Sequence, residues 1–278
     1  MSWDNFKTFN SKLKGKDVFT SYTKDSATAF LKELAAKPGD YGITGEKHQK
    51  GVTSVWNSFF KDGLKASVDT AVSVSYCGAT LNMRDVDAAL GYVFSACPLP
   101  SSATPEDTYL PLLAIYCKFM SLLVDKDISG MQKPPYMACV VAGVPPSNGG
   151  TVALMFGATI RVTNKTTLQT FRFDQLKTAY ANTDITKRAK IQSYGHCAET
   201  YPYICNQKLS GTPRVFQGKV RGMALVVGDV AAKTKFERSS FGDTLWRAPC
   251  ENCVELPTLG GYVPYDCFPH SGYGEKSS

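Results

Sequence analysis

No run of about 18 apolar residues occurs anywhere in the 278-residue chain, so it encodes no transmembrane helix. The first residues, MSWDNFKTFNSKLKGK, are polar and lysine-containing and lack the apolar stretch of a secretory signal. The expected compartment is therefore intracellular, cytoplasm or nucleus, with no membrane partner. Internal repeats and low-complexity tracts are also missing. Charged residues make up only 20% of the chain against 43% hydrophobic, which excludes disorder and gives enough apolar material for a full core. Cysteine is not scarce, but nine is an odd number and the nine are scattered. That pattern argues against a disulfide framework and for reduced thiols, some of them metal ligands. In a reducing compartment the Asn164-Lys165-Thr166 sequon carries no glycan.

Charge of either sign is nearly balanced in residues 1–150, which hold 15 Lys and Arg against 14 Asp and Glu. Residues 151–278 hold 16 against 10, so the net charge of +7 lies almost wholly there. A positive field in one half suits an anionic partner such as DNA or RNA, and equally an ordinary solvated surface.

The first half reads as helical, giving a mainly α-helical region over residues 1–145. SATAFLKELAAKPG has a candidate N-cap at Ser26 and stops at Pro38-Gly39. GVTSVWNSFFKDGLKASV places Val52, Val55, Trp56, Phe59, Phe60 and Leu64 on one face, an aromatic stripe expected in the core. MRDVDAALGYVFSAC and EDTYLPLLAIYCKFMSLLVD follow as two more helices. Cys77, Cys97, Cys117 and Cys139 lie in apolar surroundings and read as inert buried thiols.

VPPSNGG, 144–150, is a turn or hinge, and a second region over 150–278 begins there. TVALMFGATIRVT and TTLQTFRF read as two strands joined at Asn164-Lys165. The segment SYGHCAETYPYICNQ comes next, then GKVRGMALVVGDV, the clearest strand in the chain.

Two short motifs carry chemistry. PCENC places Cys250 and Cys253 at C-x-x-C spacing. Alone it fits a redox dithiol, half of a structural zinc site, or two ordinary cysteines. HCAET places Cys197 two residues before Glu199. Together, three thiolates suit Zn²⁺ and leave a fourth position open, the pattern of a catalytic rather than a structural site. Glu199 is then the nearby carboxylate, able to move protons without being a ligand. His196 stands one position too early to hold the metal with Glu199 in register. A four-cysteine structural zinc site, closed by Cys205 or Cys267, uses the same cysteines but leaves Glu199 without a role.

Cys-Ala-Glu followed by Pro-Cys-x-x-Cys resembles the zinc-dependent cytidine and nucleic-acid deaminase superfamily. The segment Cys-Ala-Glu-Thr-Tyr-Pro is also similar to uncharacterised deaminase-like proteins of fungi. The resemblance covers roughly residues 150–265. It implies an α/β, cytidine-deaminase-like three-layer α-β-α core with a small central sheet, preceded by the helical region. The core order it implies is a strand hairpin, a helix opening with the first ligand, a strand, then a helix opening with the two-cysteine motif. Residues 151–173, 197–209, 219–228 and 250–257 are assigned to these in turn. It also implies hydrolytic conversion of cytosine to uracil by a zinc-bound hydroxide attacking C4, with Glu199 as proton shuttle.

Two departures from the family pattern stand out. Fifty residues, 200–249, separate Glu199 from Cys250, with the excess expected in the loop 229–246. That loop carries Lys233, Lys235, Arg238 and Trp246, followed by Arg247, a mixture suited to phosphates and a stacked base. Only 25 residues follow Cys253, so either the sheet is small or the first half covers its edge. The segment 261–268 can supply one strand. Candidate substrate contacts are Asn164, Tyr194, His196, Ala198, Trp246 and Arg247; candidate backbone contacts are Lys233, Lys235 and Arg238. The expected substrate is nucleic acid, DNA ahead of RNA, with free cytidine or another small aminopyrimidine as the alternative. The expected assembly is a monomer.

Overall fold

The structure, a computed structural model, describes residues 22–76, 79–97, 109–143, 153–161, 165–181, 185, 194–209, 219–234, 246–247, 250, 252–253, 256 and 263–267. The chain is mixed α/β. Helix α1 (Lys24–Ala36) is entered through a capping box: Thr23 is the N-cap and Ser26 the third helical residue, not the cap itself. Helix α2 (Glu46–Phe59) buries Val52, Val55 and Phe59 as the period predicts, with Trp56 half-buried and stacked on Phe60. Helices α3 (Val86–Ser95) and α4 (Leu110–Leu122) are apolar on nearly all sides and lie in the core.

The first half is not only helical. Strands β1 (Ser67–Tyr76) and β2 (Ala79–Asp85) form an antiparallel ribbon. Val72, Val74 and Tyr76 face inward on one strand, and Ala79, Leu81, Met83 and Asp85 on the other. This is a period of two, so MRD belongs to a strand and α3 starts only at Val86.

The main sheet runs β4-β3-β5 across its width, and two short strands share the outer edge of β5. Strand β3 (Met137–Gly143) is antiparallel to both β4 (Ala153–Ala158) and β5 (Lys219–Val226). Its residues Ala138, Cys139, Val140, Val141 and Ala142 are all buried, as expected of a central strand covered on both faces. Strand β6 (Trp246–Arg247) pairs antiparallel with one end of β5, and β7 (Val263–Cys267) pairs parallel with the other. The hairpin expected over 151–173 is thus β3–β4, one strand earlier. TTLQTFRF is not a strand but the start of helix α5 (Lys165–Ala179). It buries Leu168, Arg172 and Leu176, a four-residue repeat whose middle member is charged and so escapes an apolar count. After β5 the chain turns into a short helix, α7 (Val227–Ala231), inside the segment expected to be loop.

Helices cover both faces of β4. On one side the Phe156 ring meets Phe94 of α3 and Tyr116 of α4. On the other, Gly157 faces Ala198 and Pro202, at the start of helix α6 (Thr200–Leu209). The outer edge of β4 is closed group by group. The Tyr76 hydroxyl donates to the Leu154 carbonyl, the Phe156 N–H donates to Ser95 Oγ at 2.9 Å, and Arg172 Nη1 donates to the Ala158 carbonyl at 2.8 Å. An open edge is a template for another strand. Here side chains from the first half and from α5 occupy it.

Two buried ion pairs lock the layers. Arg172 grips Asp85 through Nε and Nη2 at 3.2 and 2.8 Å. Arg161 grips Asp87 through Nε and Nη2 at 2.7 and 2.8 Å, and also donates to the carbonyls of Lys133 and Met120. Asp85 has a further task, accepting from the Ala88 N–H as the N-cap of α3. No helix among the described residues is long and apolar enough to cross a membrane.

Candidate metal centre

The turn before α6 is shaped by two glycines. Gly195 has φ of +90°, and a Cβ there would lie 2.6 Å from the Gln169 carbonyl oxygen on α5. A Cβ on Gly157 would lie 2.1 Å from the Ala198 carbonyl oxygen. Neither position has room for a side chain, so the turn 195–199 sits directly on α5 and β4. It leads into α6 through short bonds: Thr200 Oγ1 donates to the Cys197 carbonyl at 2.8 Å and the Tyr203 N–H to the Glu199 carbonyl at 2.9 Å. Pro202 falls in the first helical turn, where a missing N–H costs nothing.

The second motif is a helical turn closed by the Cys253 N–H donating to the Cys250 carbonyl at 2.9 Å. Residues three apart on a helical turn share a side, and the two sulfurs lie 3.5 Å apart. The Tyr203 hydroxyl donates to the Cys253 carbonyl at 2.8 Å and ties this turn to α6.

The two motifs meet. Cys197 Sγ is 3.4 Å from Cys250 Sγ, and Cys253 Sγ donates to Glu199 Oε2 at 3.3 Å. The three sulfurs all lie within 4.8 Å of one another. Metal–sulfur bonds of about 2.3 Å in a tetrahedron give edges of about 3.8 Å. The donor set therefore fits a metal ion. Cys205, though buried on α6, stands outside the group, as does His196. Cys250 is half-buried while Cys197, Cys253 and Glu199 are buried, so the group opens on the Cys250 side.

Its electrostatics are those of crowded acids. Contacts with the sulfurs of Cys197 and Cys253 hold the Cys250 thiol down at about 2. Sharing in the same contacts pushes the Cys197 and Cys253 thiols up. Burial raises the Glu199 carboxyl to about 7. Among the described residues no Lys, Arg or His forms an ion pair with Glu199. Cys97, Cys117 and Cys139 are buried with their thiols pushed up by desolvation, as inert core thiols should be. Cys77 lies outside the described residues.

The other expected contacts divide. Tyr194 is buried and stacks on Phe173, with ring centroids 6.1 Å apart. His196 is half-buried; burial, then the charges of Lys165 and Arg172, hold its imidazole at about 4, so it is neutral near pH 7. Ala198 is buried with its carbonyl against Gly157. Trp246 and Arg247 form β6, beside Leu225 and Ala224, and the Arg247 side chain is exposed. Lys233 is half-buried just after α7. Asn164, Lys235 and Arg238 lie outside the described residues. The sequence reading missed Arg172, Tyr203 and Gly157. Only Gly157 had a signal, since an isolated glycine within a strand marks close backbone approach.

The chain matches no protein-family model, no curated protein and no solved structure.

Proposed function

We propose that the protein is a zinc-dependent hydrolytic deaminase that converts cytosine to uracil in nucleic acid, DNA ahead of RNA. The observation that carries this is the meeting of Cys197, Cys250 and Cys253 with the buried Glu199 carboxyl, from motifs 53 residues apart. Element order supports a cytidine-deaminase-like core. Hairpin β3–β4 is followed by α5, an addition to that order, then by α6, entered through the Cys-Ala-Glu turn, by β5 and, after α7 and β6, by the turn bearing Cys250 and Cys253.

Soft thiolate donors favour zinc, which Cys197, Cys250 and Cys253 would hold. When bound, zinc supplies a Lewis acid that activates water at neutral pH. Glu199 handles the protons. In the metal-free chain burial raises the carboxyl to about 7, so it takes up and releases a proton near neutral pH at little cost, the condition for acting as both base and acid. The contact places Glu199 Oε2 beside Cys253 Sγ, and burial keeps the carboxyl from bulk water. One water is consumed, its oxygen replaces the amino nitrogen on C4, and ammonia leaves. The half-buried, neutral imidazole of His196 stands next to the Cys197 turn, where a planar base would be met. Exposed Arg247 and half-buried Lys233, in the basic half of the chain, support a polyanionic substrate over a free nucleoside.

The test is a uracil-release assay on cytidine, single-stranded DNA, duplex DNA and RNA, with zinc measured on the same samples. The expected result is one zinc per chain and turnover of a polynucleotide. Glu199→Ala is expected to keep zinc and lose about 10²- to 10⁴-fold in rate. Turnover of cytidine alone would move the substrate to free nucleosides. Zinc retained with no turnover of any substrate, in either protein, would make the site structural.

A further inference from the structure

We propose that Arg172 is the positioning residue of the Cys197–Glu199 turn, and that its buried pair with Asp85 exists to hold that turn. The inference rests on reading the thiol group as a metal centre, though not on any particular reaction.

Arg172 is fully buried at the middle of α5, and each of its three guanidinium nitrogens donates a hydrogen bond. Two nitrogens grip Asp85, and the third donates to the Ala158 carbonyl at 2.8 Å. Its guanidinium carbon lies 5.2 Å from the centre of the Tyr201 ring. These contacts bracket the turn. Ala158 follows Gly157, the residue on which Ala198 rests, and Tyr201 follows Glu199 by two positions. One side chain therefore fixes both the strand beneath the turn and the helix that leaves it. The far end of Tyr201 is also held, since its hydroxyl donates to the Asn82 carbonyl at 2.8 Å, and Gln175 donates to the same carbonyl. The preceding turn of α5 and the residue after Arg172 complete the cradle. Gln169 Nε2 donates to the Tyr194 carbonyl, and the Phe173 ring stacks on Tyr194.

Stability alone does not account for the pair. Replacing a buried ion pair by apolar groups of similar volume is often neutral or stabilising. What an arginine supplies that a methionine cannot is a fixed plane of donors with defined directions. A thiol set spread over two motifs needs that definition, because its sulfurs must meet within tenths of an ångström.

The experiment replaces the pair without stranding a charge, using Arg172→Met with Asp85→Asn, so that Asn still caps α3. Three measurements are made on the full chain. They are the thermal midpoint, Co²⁺ affinity from the thiolate-to-cobalt charge-transfer absorption, and amide hydrogen exchange of residues 200–204 in metal-free protein. The expected outcome is a folded protein whose Co²⁺ affinity falls about 10- to 100-fold. Exchange at 200–204 should rise several-fold while residues 86–95 of α3 stay unchanged. Arg172→Lys with Asp85 intact should restore the midpoint but not the affinity. Should the double variant not fold, Tyr201→Leu leaves the ion pair in place and cuts its link to α6, with the same loss of affinity expected. Unchanged affinity and exchange in a folded variant would overturn the proposal. If the wild type itself binds no Co²⁺, the metal reading fails, and the exchange of 200–204 alone decides whether Arg172 positions the turn.

Discussion

Among the described residues, two buried clusters of acids are treated in opposite ways. Asp85 and Asp87 are each met by a guanidinium, so charges cancel within the protein and every carboxylate oxygen accepts a hydrogen bond. Cys197, Cys250, Cys253 and Glu199 are all acids, packed as closely and with no basic partner among the described residues. Buried charge is tolerated when paired and costly when not. The first centre is complete as folded. The second keeps protons on Cys197, Cys253 and Glu199, whose thiols and carboxyl are raised while Cys250 is held down, or exchanges them for a cation. A centre of the first kind reads as architecture, and one of the second kind as a site.

The sharpest way to break this comparison is to remove one acid from the neutral centre. Asp85→Ala leaves the Arg172 guanidinium buried and unpaired and takes the cap from α3. Unfolding free energy should fall by about 3–5 kcal/mol, read from urea unfolding of the metal-free protein. A loss below 1 kcal/mol would mean that Arg172 reaches water and that the two centres do not differ in kind.

The two centres were not equally legible in the sequence. The thiol centre could be read because its chemistry needs fixed local spacings, Cys-x-Glu and Cys-x-x-Cys, which survive as text. The ion pairs could not, because Asp85 and Arg172 lie 87 positions apart and nothing local marks either as buried. The same gap explains the misread helix. TTLQTFRF is rich in threonine and phenylalanine like a strand, and one of its two buried residues is an arginine. Tertiary pairing overrode local preference. The ribbon β1–β2 was different. SVDTAVSVSY and ATLNMRD both alternate, but they sit between strong helical patterns that drew the whole half into one class. Strand β5, a short apolar run bounded by polar segments, and the β7 segment needed no tertiary partner to be recognised. The short tail left open whether the sheet is small or the first half covers its edge; the edge that the first half covers is that of β4, across the sheet from the strands at β5. That Tyr76 and Ser95 would do so was not foreseeable.

Between the two centres lies the close contact of β4 with the turn. Gly157→Ala would put a methyl 2.1 Å from the Ala198 carbonyl oxygen, and backbone on both sides prevents an easy shift. Destabilisation of up to about 3 kcal/mol is expected from overpacking, together with weaker metal binding. Parallel urea unfolding and Co²⁺ titration check both. A loss of stability with unchanged affinity would show that the turn is indifferent to its floor.

The acidic centre should respond to loss of an acid in the opposite sense. In metal-free protein the folded Glu199 carboxyl titrates near 7, above its ordinary 4.5. The folded state thus binds the extra proton between those values. The stability this contributes is full below about 4.5 and lost as pH rises through 7. Cys250, held down at about 2, runs the other way over the same range, so the carboxyl is isolated by comparing variants rather than by one pH curve. Glu199→Gln should match the wild type at pH 5 and exceed it at pH 8, by on the order of 2 kcal/mol. If it is less stable at pH 8, the carboxylate has a partner in the fold and the contrast with Asp85 fails.

The smallest stability effect should come from the surface that would meet substrate. Arg247 lies on a two-residue strand at the rim of the sheet with its side chain exposed, so Arg247→Ala should change stability by no more than about 0.5 kcal/mol. Its effect on binding should be distinct. A guanidinium resting on phosphate contributes about one unit to the slope of log affinity against log salt, whatever the base sequence. Titrating single-stranded DNA at several salt concentrations should therefore give a slope shallower by about one, with the same proportional loss on every sequence. A loss confined to sequences with one particular neighbour of the target cytosine would make Arg247 a reader of bases instead. No change in slope would separate the basic rim from the substrate path altogether, leaving the positive charge of this half as a solvated surface around a site that takes a small molecule.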